Sequence, residues 1–351
     1  VTLSQQPIAN ATSNYLLCEN LPYNNIEQFD LATKKPSLLG TQAASDFTVS
    51  FHSSQSNADA NLAPLPLLYT NTLPQETLFA RVQNNANANC FSTTSFLLKV
   101  IQQPQIITVS DYKVCDDTLN DGIAAFDLNT KTSEILNGQS NAIFEVKYYA
   151  NYANALNDSS SINTSSIYNS SNQTIYYSIT NIGNPNCKSV GDFKLIVNKL
   201  PIANTPNPFF KCDDLSNNGV ETFNLSSQNS MILGNQTASD FIITYHLSQN
   251  EANSKLNALP LNYQNISNPQ TIYVSIANVQ HALCFATTSF QIGVNKMPIA
   301  NPLLDIETCD DSTNNGVELF DLSLNNQTVL GSQLATEFNI SYHLNQNDAN
   351  S

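Results

Sequence analysis

Tryptophan is absent from the 351 residues, methionine occurs twice and histidine four times. Lys and Arg together number 13, and 12% of residues are charged. So thin a basic complement cannot line a phosphate-tracking stripe, which excludes nucleic acid as a partner. The net charge of −15 argues against docking on anionic lipid. No apolar run reaches the length of a membrane-spanning helix, so no membrane insertion is expected of these residues. There is no CxxC pair and no Cys/His cluster of zinc spacing. No Ser/His/Asp arrangement recurs either, and no enzyme is expected. No secretory leader is present. Val1 reads as lying inside the last strand of a preceding unit.

What the chain does contain is Asn, Ser, Thr and Gln in abundance, and seven cysteines. Cys18, Cys115, Cys212 and Cys309 succeed one another at 97-residue steps (115 − 18, and so on). Cys90, Cys187 and Cys284 keep the same step, each 72 residues after the first cysteine of its unit (90 − 18). A period of this size marks a tandem array, and about 97 residues suffice for one sandwich core. The units read as 1–9, the end of a preceding repeat, then 10–105, 106–202 and 203–299, and a partial fourth repeat, 300–351. Fixed spacing points to disulfides and an oxidising, extracellular compartment. The expected pairs are Cys18–Cys90, Cys115–Cys187 and Cys212–Cys284, with Cys309 left unpaired by truncation.

Within each unit the pattern is that of strands. Phe47-Val49-Phe51 alternates with Thr48, Ser50 and His52, and its copies are Phe144-Val146-Tyr148, Phe241-Ile243-Tyr245 and Phe338-Ile340-Tyr342. Strict period-2 alternation of aromatic and β-branched residues is the mark of a half-buried strand. Further strands are expected at Phe29-Asp30-Leu31, Leu78-Ala80-Val82 and Phe96-Leu98-Val100, with the second cysteine in the loop before the last. Short helical turns are expected at 132–138 and 57–60. Prolines at 7, 104, 201 and 298 mark the joints, where Pro-Ile-Ala-Asn recurs at 7–10, 201–204 and 298–301, replaced by Pro104-Gln105-Ile106-Ile107 in the second unit. Proline stiffens such connectors. The fold class expected is all-β: tandem Ig-like β-sandwich repeats of 97 residues, about seven strands each, one disulfide per repeat, in a rod-like array.

The candidate chemistry lies in a polar turn after the first cysteine, Cys115-Asp116-Asp117-Thr118-Leu119-Asn120-Asp121-Gly122. Asp116, Asp117, Asp121 and Asp127 could offer carboxylates to Ca2+, but the series weakens along the chain and a self-capping turn network is the stronger reading. The first unit departs, with Ile26 where the others have glycine. His52, His246 and His343 share a strand position, filled by Tyr149 in the second unit, and read as residues of the polar surface.

The block Cys-Asp-Asp-x-x-Asn-Asp/Asn-Gly, then Phe-Asp/Asn-Leu, resembles repeats of very large surface proteins of Flavobacterium and related Bacteroidetes. Gln-Thr-Ile-Tyr at 173–176 and 270–273, then Cys and a Phe-x-Leu/Ile-x-Val strand, extends the likeness. The similarity is to gliding-motility adhesins of the SprB type. It implies export by the type IX secretion system, a cell-surface location and partners in the gliding and secretion machinery. Asp117-Thr118-Leu119 and Asp311-Ser312-Thr313 resemble the O-glycosylation acceptor of that phylum, at Thr118 and Ser312. The function expected is the structural stalk of an adhesin filament. The alternative is a repeated module binding surface polysaccharide or a protein partner through the variable 150–170 loops.

Overall fold

In a computed structural model, which describes residues 3–20 and 22–351, the alternating segments form strands. Val1, expected to belong to an earlier strand, lies outside the described residues. The first repeat runs β1 (Tyr15–Cys18), β2 (Gln28–Asp30), α1 (Lys35–Leu39), β3 (Phe47–His52), α2 (Gln55–Ala60), β4 (Leu68–Thr70), β5 (Gln75–Asn84) and β6 (Asn87–Ile101). The second repeats this as β7 (Tyr112–Cys115), β8 (Ala124–Phe126), α3 (Thr132–Leu136), β9 (Phe144–Tyr149), α4 (Tyr152–Asn157), β10 (Tyr168–Ser170), β11 (Gln173–Asn181) and β12 (Asn184–Asn198). The third has β13 (Phe209–Cys212), β14 (Thr222–Asn224), α5 (Asn229–Leu233), β15 (Phe241–His246), α6 (Gln249–Ser254), β16 (Asn262–Gln264), β17 (Gln270–Asn278) and β18 (Phe285–Asn295). Residues 300–351 form only helical turns, α7 (Asn326–Leu330) and α8 (Gln346–Ala349) among them. Val1–Lys199 and Leu200–Ser351 are two separate compact units, the first holding the two leading repeats.

Among the described residues each complete repeat therefore has six strands, not about seven. Four make one sheet in the order β1-β6-β5-β3, and β2-β4 make the other. Phe29, Phe47, Phe51, Leu78, Val82, Phe96 and Leu98 fill the space between, all buried. Their i, i+2 spacing puts them on the inner faces, and each contributes roughly 1.5–3 kcal/mol of burial. The second and third cores repeat the plan around Phe126, Tyr148 and Phe193, and around Phe223, Tyr245 and Phe290.

The pairing of the first strand fixes where the cysteines stand. β1 runs parallel to β6, with Cys18 opposite Ile101, and the same register places Cys115 opposite Asn198 and Cys212 opposite Asn295. The first cysteine thus stands at the outgoing end of its repeat, beside the residue from which the chain leaves. In the first two repeats the second cysteine lies in a strand and not in a loop, Cys90 within β6 and Cys187 within β12, both near the incoming end, whereas Cys284 stands in the turn just before β18, as expected. Cys90 and Ile101 sit on one strand, about 37 Å apart at the rise of an extended chain. A disulfide needs Cα atoms within about 7 Å. The expected bond Cys18–Cys90 is therefore ruled out by the strand that carries both ends of the repeat, and its copies by the same register.

Candidate functional site at the joint between repeats

The bond that does form crosses the joint. Cys18 is joined to Cys187, with Cα atoms 5.3 Å apart and 169 residues between them. The outgoing end of the first repeat is thereby fastened to the incoming end of the second. Cys90 and Cys212 are free, which removes the expected Cys18–Cys90, Cys115–Cys187 and Cys212–Cys284 pairs together. Cys309 is free as well. Cys115 and Cys284 are also disulfide-bonded.

The connector between the repeats belongs to the second sandwich along its whole length. Asn181 Nδ2 donates to Gln102 O (2.9 Å), Gln103 Nε2 to Lys188 O (2.9 Å), and Ser189 Oγ to Pro104 O (2.7 Å). Gln139 then closes a two-way amide pair, accepting from Gln105 N (2.8 Å) and donating to Gln105 O (2.9 Å). This clamp recurs at 97-residue intervals: Gln42 with Ile8, Gln236 with Ile202, and Gln333 with Ile299. The last residue of β6 is Ile101, so no loose spacer separates one sandwich from the clamped connector of the next. Replacing Gln139 by alanine strands both backbone groups of Gln105, a cost of about 1–2 kcal/mol. Faster amide exchange at Gln105 and easier proteolysis across 102–109 are expected; unchanged exchange would refute the clamp.

The asparagine of Pro-Ile-Ala-Asn has a defined task. Asn10, Asn204 and Asn301 donate through Nδ2 to Leu38 O, Ile232 O and Val329 O, each at 3.0 Å, closing the end of α1, α5 and α7. The facing residues are Gly40, Gly234 and Gly331, at φ +57 to +59°, where a Cβ would stand 2.6–2.8 Å from the asparagine amide. Glycine is required there both by conformation and by contact. In the second repeat Ile107 replaces the asparagine, and Asn137 (φ 45°) replaces the glycine.

The connector's far end is held by charge. Glu134 Oε1 accepts from Ser110 N (2.6 Å), and Lys131 Nζ donates to Ser110 Oγ (3.0 Å) and to Glu134 Oε2. Burial alone would raise the Glu134 carboxyl, but the hydrogen bonds from Lys131 and Ser110 and the Lys131 charge outweigh it and hold it down at about 2. A depressed folded-state pKa stabilises above the unfolded value near 4.5 and loses that contribution as pH falls towards 2. With the carboxylate about a third exposed, solvent screening leaves of the order of 1 kcal/mol. The Ser110 amide is expected to lose exchange protection on acidification from about pH 4.5 to about 2. The Glu134→Gln variant should show no such titration.

The acidic turn is a self-contained network. Buried Asp116 accepts from Asp117 N (2.9 Å) through Oδ1 and from Gly122 N (2.8 Å) through Oδ2. Asp117 accepts from Leu119 N and Asp121 from Ile123 N. Asp127 is elsewhere, capping the next turn through Asn129 N. No three of these four carboxylates place an oxygen within 4.8 Å of one another among the described residues. The third repeat copies the turn with Asp213 on Asp214 N and Gly219 N. In the first repeat the glycine position is Asn25, not Ile26: Asn25 has φ 61° and its N–H donates to Glu19 Oε1 (2.5 Å). Glu19, buried, thus replaces the aspartate.

The histidines correct a second expectation. His52 and His246 are fully buried, not surface residues. Nδ1–H of His52 donates to Leu62 O (2.8 Å) and Nε2 lies 2.9 Å from Ser50 Oγ; His246 does the same with Leu256 O and Thr244 Oγ1 (both 2.8 Å). Neither histidine belongs to a group of three or more possible metal ligands among the described residues.

Fold and joint define a class: tandem β-sandwiches whose covalent cross-link lies between domains. The chain belongs to the Flavobacterium inter-domain disulphide bond domain family, matched over 14–104, 111–201, 208–298 and 305–351. It is a repeat protein of the Bacteroidetes type. No curated protein shows similarity to it. Among solved structures it is similar to the titin I-band fragment I67–I69, at 10% identity, covering 72% of this chain and 88% of that one with a TM-score of 0.27. The mouse cadherin-23 fragment EC22–24 matches at 9% identity over 72% and 86%, with a TM-score of 0.19. Likenesses this slight say nothing of what the chain binds.

Proposed function

We propose that the chain is a structural stalk of a secreted bacterial cell-surface adhesin that serves gliding motility and surface attachment. The observation that carries this reading is the Cys18–Cys187 bond across a joint whose connector is clamped residue by residue. Such a joint resists bending and extension, which a spacer needs and a set of independent binding modules does not. The oxidised cysteines support an extracellular site. Gliding and type IX export rest on the likeness of the Cys-Asp-Asp block to SprB-type adhesins. Thr118 and Ser312 are exposed at turn tips, where an O-glycosylating enzyme would reach them; mass increments mapped to those residues in the protein from its native host would establish it. The stalk reading is tested by offering the purified chain to polysaccharide-coated surfaces and to cells. Inert behaviour is expected, and saturable binding would move the function to the 150–170 loops.

A further inference from the structure

We infer that the disulfide register makes the repeats a covalent ladder, in which a cut joint does not part the chain and an unfolded sandwich does not lengthen it. The inference deepens the stalk reading and rests on it for its use, though not for its geometry. Cys18 and Cys187 bracket the rest of the first repeat, the whole connector 102–111 and most of the second repeat. A pull applied at Leu3 and at Lys199 enters through residues 3–18, crosses the sulfur bridge and leaves through residues 187–199. That path follows one strand of each sandwich, β1 and then β12, and the residues between the two cysteines lie off it. Opening both would release no length, whereas the reduced chain would give up 169 residues, about 560–610 Å when extended.

The parallel pairing of β1 with β6 makes this possible, because it sets the first cysteine at the outgoing end. Bonds within a repeat would have left each connector as the sole covalent link to the next, so that one peptide cleavage would sever the array. With the first cysteine bonded one repeat onward, the connector is bypassed, and the stretches between cysteines become rungs between two tracks. Exposed connectors are where proteases cut, so the arrangement protects the length of the array at its most vulnerable points.

The test uses the whole chain with its free thiols at Cys90, Cys212 and Cys309 alkylated. A site-specific protease sequence is inserted after the exposed Thr108 and digested. Under denaturing, non-reducing conditions one species heavier by one water is expected, and reduction should divide it in two. Two fragments without reductant would overturn the inference, as would continued linkage in the Cys18→Ser variant. The same sequence inserted after Ala300 should release the last segment with or without reductant, since Cys309 is free; retention there would overturn the assignment of the effect to Cys18–Cys187. Glycan binding by the chain would sink the stalk reading and leave the gel result untouched.

Discussion

Replacing Asp116 by alanine is expected to destabilise the second repeat by about 2–4 kcal/mol, a large part of a domain's usual margin. The carboxylate is buried and accepts two backbone N–H groups, of Asp117 and Gly122. Removing it leaves both donors without an acceptor where water does not replace it, and charge-assisted bonds of this kind are the stronger ones. Asp213→Ala should behave alike in the third repeat, through Asp214 and Gly219. Asn at position 116 keeps one acceptor oxygen and should lose roughly half as much. Thermal unfolding in the presence of a chelator and of Ca2+ checks the cause. The loss should be the same in both, because the oxygens that an ion would need are spent on the backbone. A loss seen only with Ca2+, and reproduced by the chelator alone, would instead make the turn an ion site. The first repeat supplies a natural control: Glu19 reaches the Asn25 amide with a longer side chain, at a position where no aspartate pair stands.

What the sequence discloses and what it hides divide along physical lines. Period-2 alternation locates β3, β9 and β15 because the inner face of a sheet must be apolar, whatever surrounds it. The same alternation says that His52 lies on the face opposite Phe51, but not that this face is solvated. Helix α2 packs against β3 and β5 and covers it, so the opposite face is a second, polar interior. The 97-residue step identifies the cysteines, while their partners depend on which end of a repeat each occupies. That depends on β1 being parallel to its neighbour, a long-range pairing with no local signature. Other signals stand in the chain beside the cysteines. Gln42, Gln139, Gln236 and Gln333 keep the repeat step as faithfully as the cysteines do. The joint exchange of Asn10 and Gly40 for Ile107 and Asn137 is a contact written as covariation between repeats.

The buried His/Tyr position offers the second large effect. In the second repeat Tyr149 donates to Asp158 Oδ1 (2.5 Å) and lies 3.3 Å from Ser178 Oγ. Burial first, and then the bond to Asp158, pushes the Tyr149 hydroxyl up to about 12, while that same hydrogen bond holds Asp158 below the usual carboxylate range. In the third repeat the corresponding residues are His246, Lys255 and Ser275, and Ser275 Oγ is buried without a hydrogen-bond partner. His246→Tyr alone strips Leu256 O of its donor and points a phenol at a lysine, which should cost about 2–3 kcal/mol. Lys255→Asp alone removes a cation held 3.7 Å over the Phe285 ring, a loss of about 1 kcal/mol. Combined, the two changes rebuild the Tyr149–Asp158 pair and give Ser275 a neighbour, so the double variant should be more stable than the sum of the singles by about 1–2 kcal/mol. Denaturant unfolding of the four proteins measures that coupling. Strict additivity would mean that the two repeats fill this position independently of its partner, and that the outer face of β15 is not the organised polar interior its geometry describes.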